Sequence, residues 1–331
     1  MTNKRVGVML MTYGSPATLD DIPAYIKNVY GGREPGEEVL TEFRRRYALI
    51  GGSPLVRVTR EQAQALQEEL NATSSDGTTY YVTVGMRFSP PFVANMIEET
   101  AAGAQSIVGI IMSPQYSPII MSGYTQTFEK AVEGLHRDDL TFGLSHDWHL
   151  QLDFLQAMAQ RVQQALDRLP ADVRERVPVL LTAHSMPKRV IDKEPDYITN
   201  LKETAAAIAK LVGLSDERWM FCYQSAGHRP EEWLKPDFAD VMPILKQAGH
   251  THVLIAPVQF LADHLETLYD IEVGAREQAE MNGIQFARAE SLNISPLFIK
   301  ALASIVHSTL AGEYSSLDSK QVDEYSAIVG E

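Results

Sequence analysis

The chain has 331 residues, 45% of them hydrophobic and 22% charged, a globular composition long enough for two domains. Its net charge of -14 argues against a nucleic-acid partner, because phosphate binding needs a basic surface. The single cysteine, Cys222, excludes an internal disulfide, a zinc cage and a cysteine-held iron–sulfur cluster, and in "WMFCYQSA" it reads as a small buried hydrophobe.

The first stretch, "MTNKRVGVMLMTYG", reads as a strand over 6–11, its apolar run being short for a signal peptide. No run approaches the roughly 20 apolar residues that span a bilayer, so a cytoplasmic protein with no transmembrane segment is expected. Residues 25–47 break the pattern with "YGGREPGEEVLTEFRRRY", followed by "IGGSPL" over 50–55. Long segments after a strand's carboxyl end often carry binding functions. Arg44, Arg45 and Arg46 point in three directions on a helix, so one can face a pocket; a solvated helix face is the alternative. Further strands are expected over 80–86, 106–112 and 140–144, with helical patterns over 59–71 and 91–103.

A hinge is expected near Asp147-Trp148-His149. Beyond it, strands are read over 177–183, 220–224, 252–259 and 285–289. Helices are read over 152–169, 197–212, 237–248, 263–282 and 296–310. Alternating strands and helices imply parallel sheets. The expected fold class is α/β, with two Rossmann-like domains facing across a cleft, each a four-stranded parallel sheet flanked by helices. The expected domains are 1–149 and 150–312, with the option that the last helix packs back on the first. The polar tail 313–331 is expected to be loosely ordered.

Familiar cofactor motifs are missing. The first strand is followed by "MTYGSPATLDD" rather than G-x-G-x-x-G, and neither a P-loop, a G-x-S-x-G nor an H-E-x-x-H occurs. Two stretches carry chemistry instead. "VLLTAHSMP" (179–187) begins as a buried strand and ends on His184. The carboxyl ends of parallel strands form the usual ligand crevice, and histidine readily moves a proton or holds a metal there. "APVQFLADHLETLYDIE" (256–272) runs from a strand into a helix bearing Glu266 and Asp270, four residues apart on one face. Asp263 with Glu266 also fits an N-cap and capping box, a purely structural role. Imidazole plus carboxylate suits proton abstraction and also first-row divalent ions. His146, His149, His250 and His252 sit at element boundaries and read as structural.

"TAHSMP", "FLADHLETLYDIE", "YQSAGHRPEEWLKP" (223–236), "IGGSPL" and "AESLNISPLFIKALASIVHS" together resemble, in order, segments of the ferrochelatases. The resemblance covers roughly residues 6–310. It implies insertion of Fe2+ into a porphyrin, with Fe2+ as substrate, no permanently bound cofactor and no iron–sulfur cluster. His184 matches the family's catalytic histidine and Glu266 its partner glutamate, accepting protons or delivering iron, with Asp270 continuing the acidic path. Tyr13 in "MTYGSP" resembles a tyrosine of the coproporphyrin III enzymes of monoderm bacteria, where it would ligate product iron; a packed ring is the alternative. Arg46, Ser53 and Tyr124 match propionate-binding positions, and Arg87 stands near a basic one. Relatives often carry basic residues where this chain has Tyr30-Gly31, so Arg33 is the substitute considered there. A third outward acid falls on Gly274, with Glu272 off register.

The expected activity is therefore iron insertion into coproporphyrin III to give coprohaem. The same reaction on protoporphyrin IX is the alternative, because "RAESLNISPLFIKALASIVHS" resembles protoporphyrin-type members. A non-catalytic tetrapyrrole-binding protein comes third. The expected partners are porphyrin and Fe2+, with the next haem-pathway enzyme possible as an acceptor, and the expected state is a monomer.

Overall fold

Among the described residues there are eight strands, most of them built from short apolar runs, and each pairs only with parallel neighbours. The computed structural model describes residues 4–192, 194–226 and 232–312. Residues 227–231 of the "YQSAGHRPEEWLKP" segment and the expected polar tail 313–331 lie outside the described residues.

The first sheet holds β1 (Arg5–Thr12), β2 (Thr79–Met86), β3 (Ser106–Ile111) and β4 (Thr141–Leu144) in the order β2-β1-β3-β4. The second holds β5 (Val179–His184), β6 (Trp219–Gln224), β7 (His252–Pro257) and β8 (Gln285–Arg288) in the order β6-β5-β7-β8. The two orders are the same. In each, the second strand lies on one side of the first and the third on the other. That makes the carboxyl ends of β1 and β3, and of β5 and β7, topological switch points, where open α/β sheets bind ligands.

The helices are α1 (Ile22–Val29), α2 (Glu37–Leu49), α3 (Leu55–Thr73), α4 (Val93–Ala101), α5 (Pro118–Glu133), α6 (Leu152–Asp167), α7 (Ala171–Arg174), α8 (Lys188–Ile191), α9 (Pro195–Val212), α10 (Phe238–Gln247), α11 (Arg276–Met281) and α12 (Pro296–Ala311). The segment 25–47 is largely helical, as part of α1 and α2. Helix α5 adds to the elements read from the pattern. Its start is marked by Ser117, whose hydroxyl accepts from the Ile120 N–H, and by Pro118 in the first turn.

The chain divides into two compact units. The first gathers residues 4–148, Ala262–Leu265 and 293–312; the second gathers His149–Leu261 and Glu266–Leu292. Within the first unit, α12 packs on α3, β3 and β4, and its Phe298 ring lies 6.4 Å from that of Trp148. Strand β1 is buried from Val6 to Thr12, and Met9 and Met11 pack with α4 and α5 side chains such as Val93, Ile97, Met121 and Phe128. Gly7 is required there, because a Cβ would stand 2.1 Å from the Thr100 carbonyl oxygen of α4. In the second unit, Leu180, Val253 and Ile255 pack with Val241 and Met242 of α10 and with Ile271 and Ala279.

The helix expected over 263–282 is not one α-helix. A π-helix runs from Glu266 to Ala275, and α11 follows. The period of apolar residues alone does not distinguish i→i+5 from i→i+4 bonding. Asp263 lies ahead of it, paired reciprocally with Asn293. Its N–H donates to Asn293 Oδ1 at 2.9 Å, and its carboxylate accepts from Asn293 Nδ2 at 3.0 Å.

Candidate active site

In the second sheet, β5 ends on His184 and β7 ends on Pro257, so the two strands at the switch point deliver the histidine and the segment leading to Glu266. The His184 imidazole turns Nδ1 toward the Ser185 carbonyl oxygen. A carbonyl only accepts, so Nδ1 carries a hydrogen, and in the neutral imidazole the lone pair then belongs to Nε2. Nε2 stands 3.9 Å from Glu266 Oε2, with both side chains about a third exposed. That is too far for a direct hydrogen bond. It lies within the roughly 4.2 Å that two bonds of about 2.1 Å can span, so after a small closing movement the pair can hold one small cation. The same pair can take a proton from a group placed beside it.

The neighbours of His184 hold it from several sides. Ser185 N–H donates to the Gln224 carbonyl at 2.7 Å, and its buried hydroxyl donates to the Leu234 carbonyl at 3.0 Å. Ser185 thus secures the strand end. Residues 186–188 run antiparallel to 232–234, with Leu234 N–H on the Met186 carbonyl and Lys188 N–H on the Glu232 carbonyl. Two of the motifs read from the sequence therefore pair directly. The His184 main-chain N–H donates to Gln259 Oε1 at 2.9 Å, and Gln259 Nε2 donates to the Tyr197 hydroxyl at 2.6 Å.

Asp270 is half-buried, four residues along the π-helix from Glu266. Glu272 is committed elsewhere: it accepts from Arg276 and, at 2.9 Å, from Arg288 Nε. Among the described residues, no three His, Cys, Asp or Glu side chains are grouped as a metal cage.

The first unit carries the other residues. Tyr13 follows β1 with 44% of its surface exposed, its ring 4.5 Å from Phe88 and 6.4 Å from Tyr25. The Arg87 guanidinium lies 4.8 Å over Phe88 and 5.3 Å over Tyr124, and Nη1 donates to the Ile120 carbonyl at 2.9 Å. Tyr124 is buried; burial pushes its hydroxyl pKa up, Arg87 opposes that, and Tyr13 adds to it. Tyr13, Phe88, Arg87 and Tyr124 thus form a continuous series of ring and cation contacts.

On α2, Arg44 pairs with Glu37 at 3.2 Å, while Arg45 and Arg46 share Glu42, at 2.8 and 2.7 Å. Arg46 is the most covered of the three, at 22% side-chain exposure. Ser53 is half-buried, its hydroxyl accepting from Leu55 N–H at 3.4 Å. Arg33 is exposed and donates to the Tyr30 carbonyl at 3.2 Å.

Residues 5–310 match the family model for ferrochelatases. The chain belongs to the ferrochelatase family. It is 35% identical over 309 residues to a ferrochelatase of Deinococcus radiodurans, covering 92% of this chain and 96% of that one. It is equally identical, over the same shares, to a coproporphyrin III ferrochelatase of Geobacillus kaustophilus. In fold it is similar to SirB from Bacillus subtilis solved with Fe3+, with a TM-score of 0.58, 12% identity, and 92% and 95% of the two chains covered. This ferrochelatase inserts a metal ion into a porphyrin. No helix among its described residues is long and apolar enough to cross a membrane.

The sequence reading of this ferrochelatase did not single out Phe88, Gln259 or Tyr197. One signal for Gln259 was present. The paired residues of β5 and β7 end at Thr182 and Pro257, so the His184 N–H beyond them needs an acceptor, and a glutamine two residues after β7 can supply one.

Proposed function

We propose that the chain inserts Fe2+ into coproporphyrin III, giving coprohaem, with His184 and Glu266 carrying the chemistry. The observation that supports it most is the pair itself: an imidazole whose Nδ1 is tied to a main-chain carbonyl, leaving Nε2 to face a carboxylate 3.9 Å away, both at the sheet's switch point. Metal insertion requires the porphyrin to lose two pyrrole protons and the ion to shed water. A neutral imidazole accepts a proton at Nε2. The carboxylate balances the charge of an arriving cation or of the imidazolium. Asp270, one turn on, serves ion delivery. Tyr13 is the ligand for product iron, and Arg46, Ser53 and Tyr124, with Arg33 and Arg87 as further contacts, take the propionates. An arginine fork suits a carboxylate.

The choice of coproporphyrin III, with four propionates, draws on these polar side chains and on the relatives named for that substrate. In the same reading there is no resident cofactor and Fe2+ is a substrate. The enzyme is a cytoplasmic monomer that passes its product to the next enzyme of haem synthesis. Competition between coproporphyrin III and protoporphyrin IX at equal concentration, with Fe2+ and without oxygen, tests the substrate. Coproporphyrin III is expected to be consumed first, and faster turnover of protoporphyrin IX overturns the choice.

A further inference from the structure

We propose that Gln259 is a positioning residue for metal insertion, tying the main chain of His184 to the buried hydroxyl of Tyr197. The inference rests on the assignment of His184 to the chemistry.

Alternate amides of β5 face alternate neighbours. The Ser185 N–H goes to β6, at Gln224, and the Thr182 carbonyl accepts from the Val258 N–H on the other side. The His184 N–H is thus the next amide to face β7, but the paired residues of that ladder end at Thr182 and Pro257. An amide at such a site needs a partner, because a buried donor left unmade is costly. Gln259 supplies it with a side-chain carbonyl at 2.9 Å.

The other end of the same amide reaches Tyr197, on the first turn of α9, at 2.6 Å. Tyr197 is 1% exposed and cannot shift without repacking. Burial, and the nearby Glu266 carboxylate among other charges, push its pKa up, so the phenol stays protonated. As Gln259 fills one acceptor position of that oxygen, the phenol keeps its own hydrogen to give. One side chain therefore joins three elements, the ends of β5 and β7 and the start of α9, and it lies seven residues before Glu266. Without it the end of β5 gains freedom and the imidazole samples wider positions. Misplacement of a catalytic group by about 1 Å can cost about a hundredfold in rate.

The test compares Gln259→Leu, Tyr197→Phe, the double variant and His184→Ala. Thermal melting confirms that each is folded; Gln259→Met takes the place of Gln259→Leu if the latter is not. Gln259→Leu and Tyr197→Phe are each expected to lower kcat about tenfold, with porphyrin KM within about twofold of the parent. The double variant is expected to match the worse single, as members of one network do. An unchanged kcat in Gln259→Leu, a loss confined to KM, or single effects that multiply in the double variant would each overturn the inference while His184→Ala is inactive. Near-normal turnover in His184→Ala overturns the site assignment, and this inference with it.

Discussion

Replacing His184 by alanine removes the imidazole but leaves the main-chain bond to Gln259 and the Ser185 anchors in place. His184→Ala is therefore expected to bind porphyrin like the parent and to lose turnover by about 10²–10⁴-fold, read by equilibrium titration beside an anaerobic rate assay. Glu266→Gln, which keeps shape and removes charge, is expected to behave alike. A variant that merely melts earlier while turning over normally would make Glu266 a helix-start residue instead. Glu42 offers a pH experiment. Hydrogen bonds from Arg45 and then Arg46 lower its pKa from 4.5 to about 2. A folded-state value below the unfolded one gives stability that is complete above the unfolded value and is lost as pH falls through the folded one. The difference in melting between the parent and Glu42→Gln is thus expected to be constant at neutral pH and to shrink between pH 4.5 and about 2. The group is more than a third exposed, so the difference stays below about 1 kcal/mol. A difference that persists unchanged at pH 2 would mean that charge on Glu42 does not stabilise α2.

Helix α5 meets the loop after β2 through one close approach. A Cβ on Gly123 would stand 2.1 Å from Arg87 Nη2, so the guanidinium occupies the space a side chain would take. The far end of an arginine can swing away. Gly123→Ala is therefore expected to fold, to displace Arg87 from Tyr124 and the Ile120 carbonyl, and to weaken porphyrin binding as much as Arg87→Ala does. Fluorescence titration checks this; parent-like affinity in both variants would remove Arg87 from the binding surface. Most of the strands were legible as short apolar runs bounded by polar residues, and "VLLTAHSMP" marked both a strand and the His184 end on which the proposed chemistry rests. Glu266 was legible through its sequence context. The π-helix that carries it was not, because "ETLYDIEVGA" has an apolar spacing that several helical windings satisfy. Gln259 and Tyr197, 62 residues apart, meet where the chain has left β7 and where α9 begins, a juxtaposition set by the tertiary fold and not by local pattern. Arg87 drew attention as a cation, while its position is set by neutral partners: two rings and a carbonyl.

At the scale of the whole chain, α12 is the last described element, yet it completes the first unit. Phe298, Ile299, Leu302, Ile305 and Val306 are all buried. Their burial is worth on the order of 10 kcal/mol, comparable with the entire net stability of a domain. A chain ending at Leu292 is therefore expected to be insoluble, and the purified parent cut at the same point should unfold; a soluble, cooperatively melting fragment would contradict this. The arrangement also sets a clock on biosynthesis. Residues 4–148 leave the ribosome with α3 on β1 and β2 but with the part of the sheet over β3 and β4 that α12 covers still open, and that helix is translated only after the whole second unit. At about 5–20 residues per second that interval lasts roughly 8–30 s. Throughout it the nascent first unit exposes apolar side chains that the finished protein hides, so faster misfolding or scarcer chaperone during that interval is expected to lower the yield of folded enzyme.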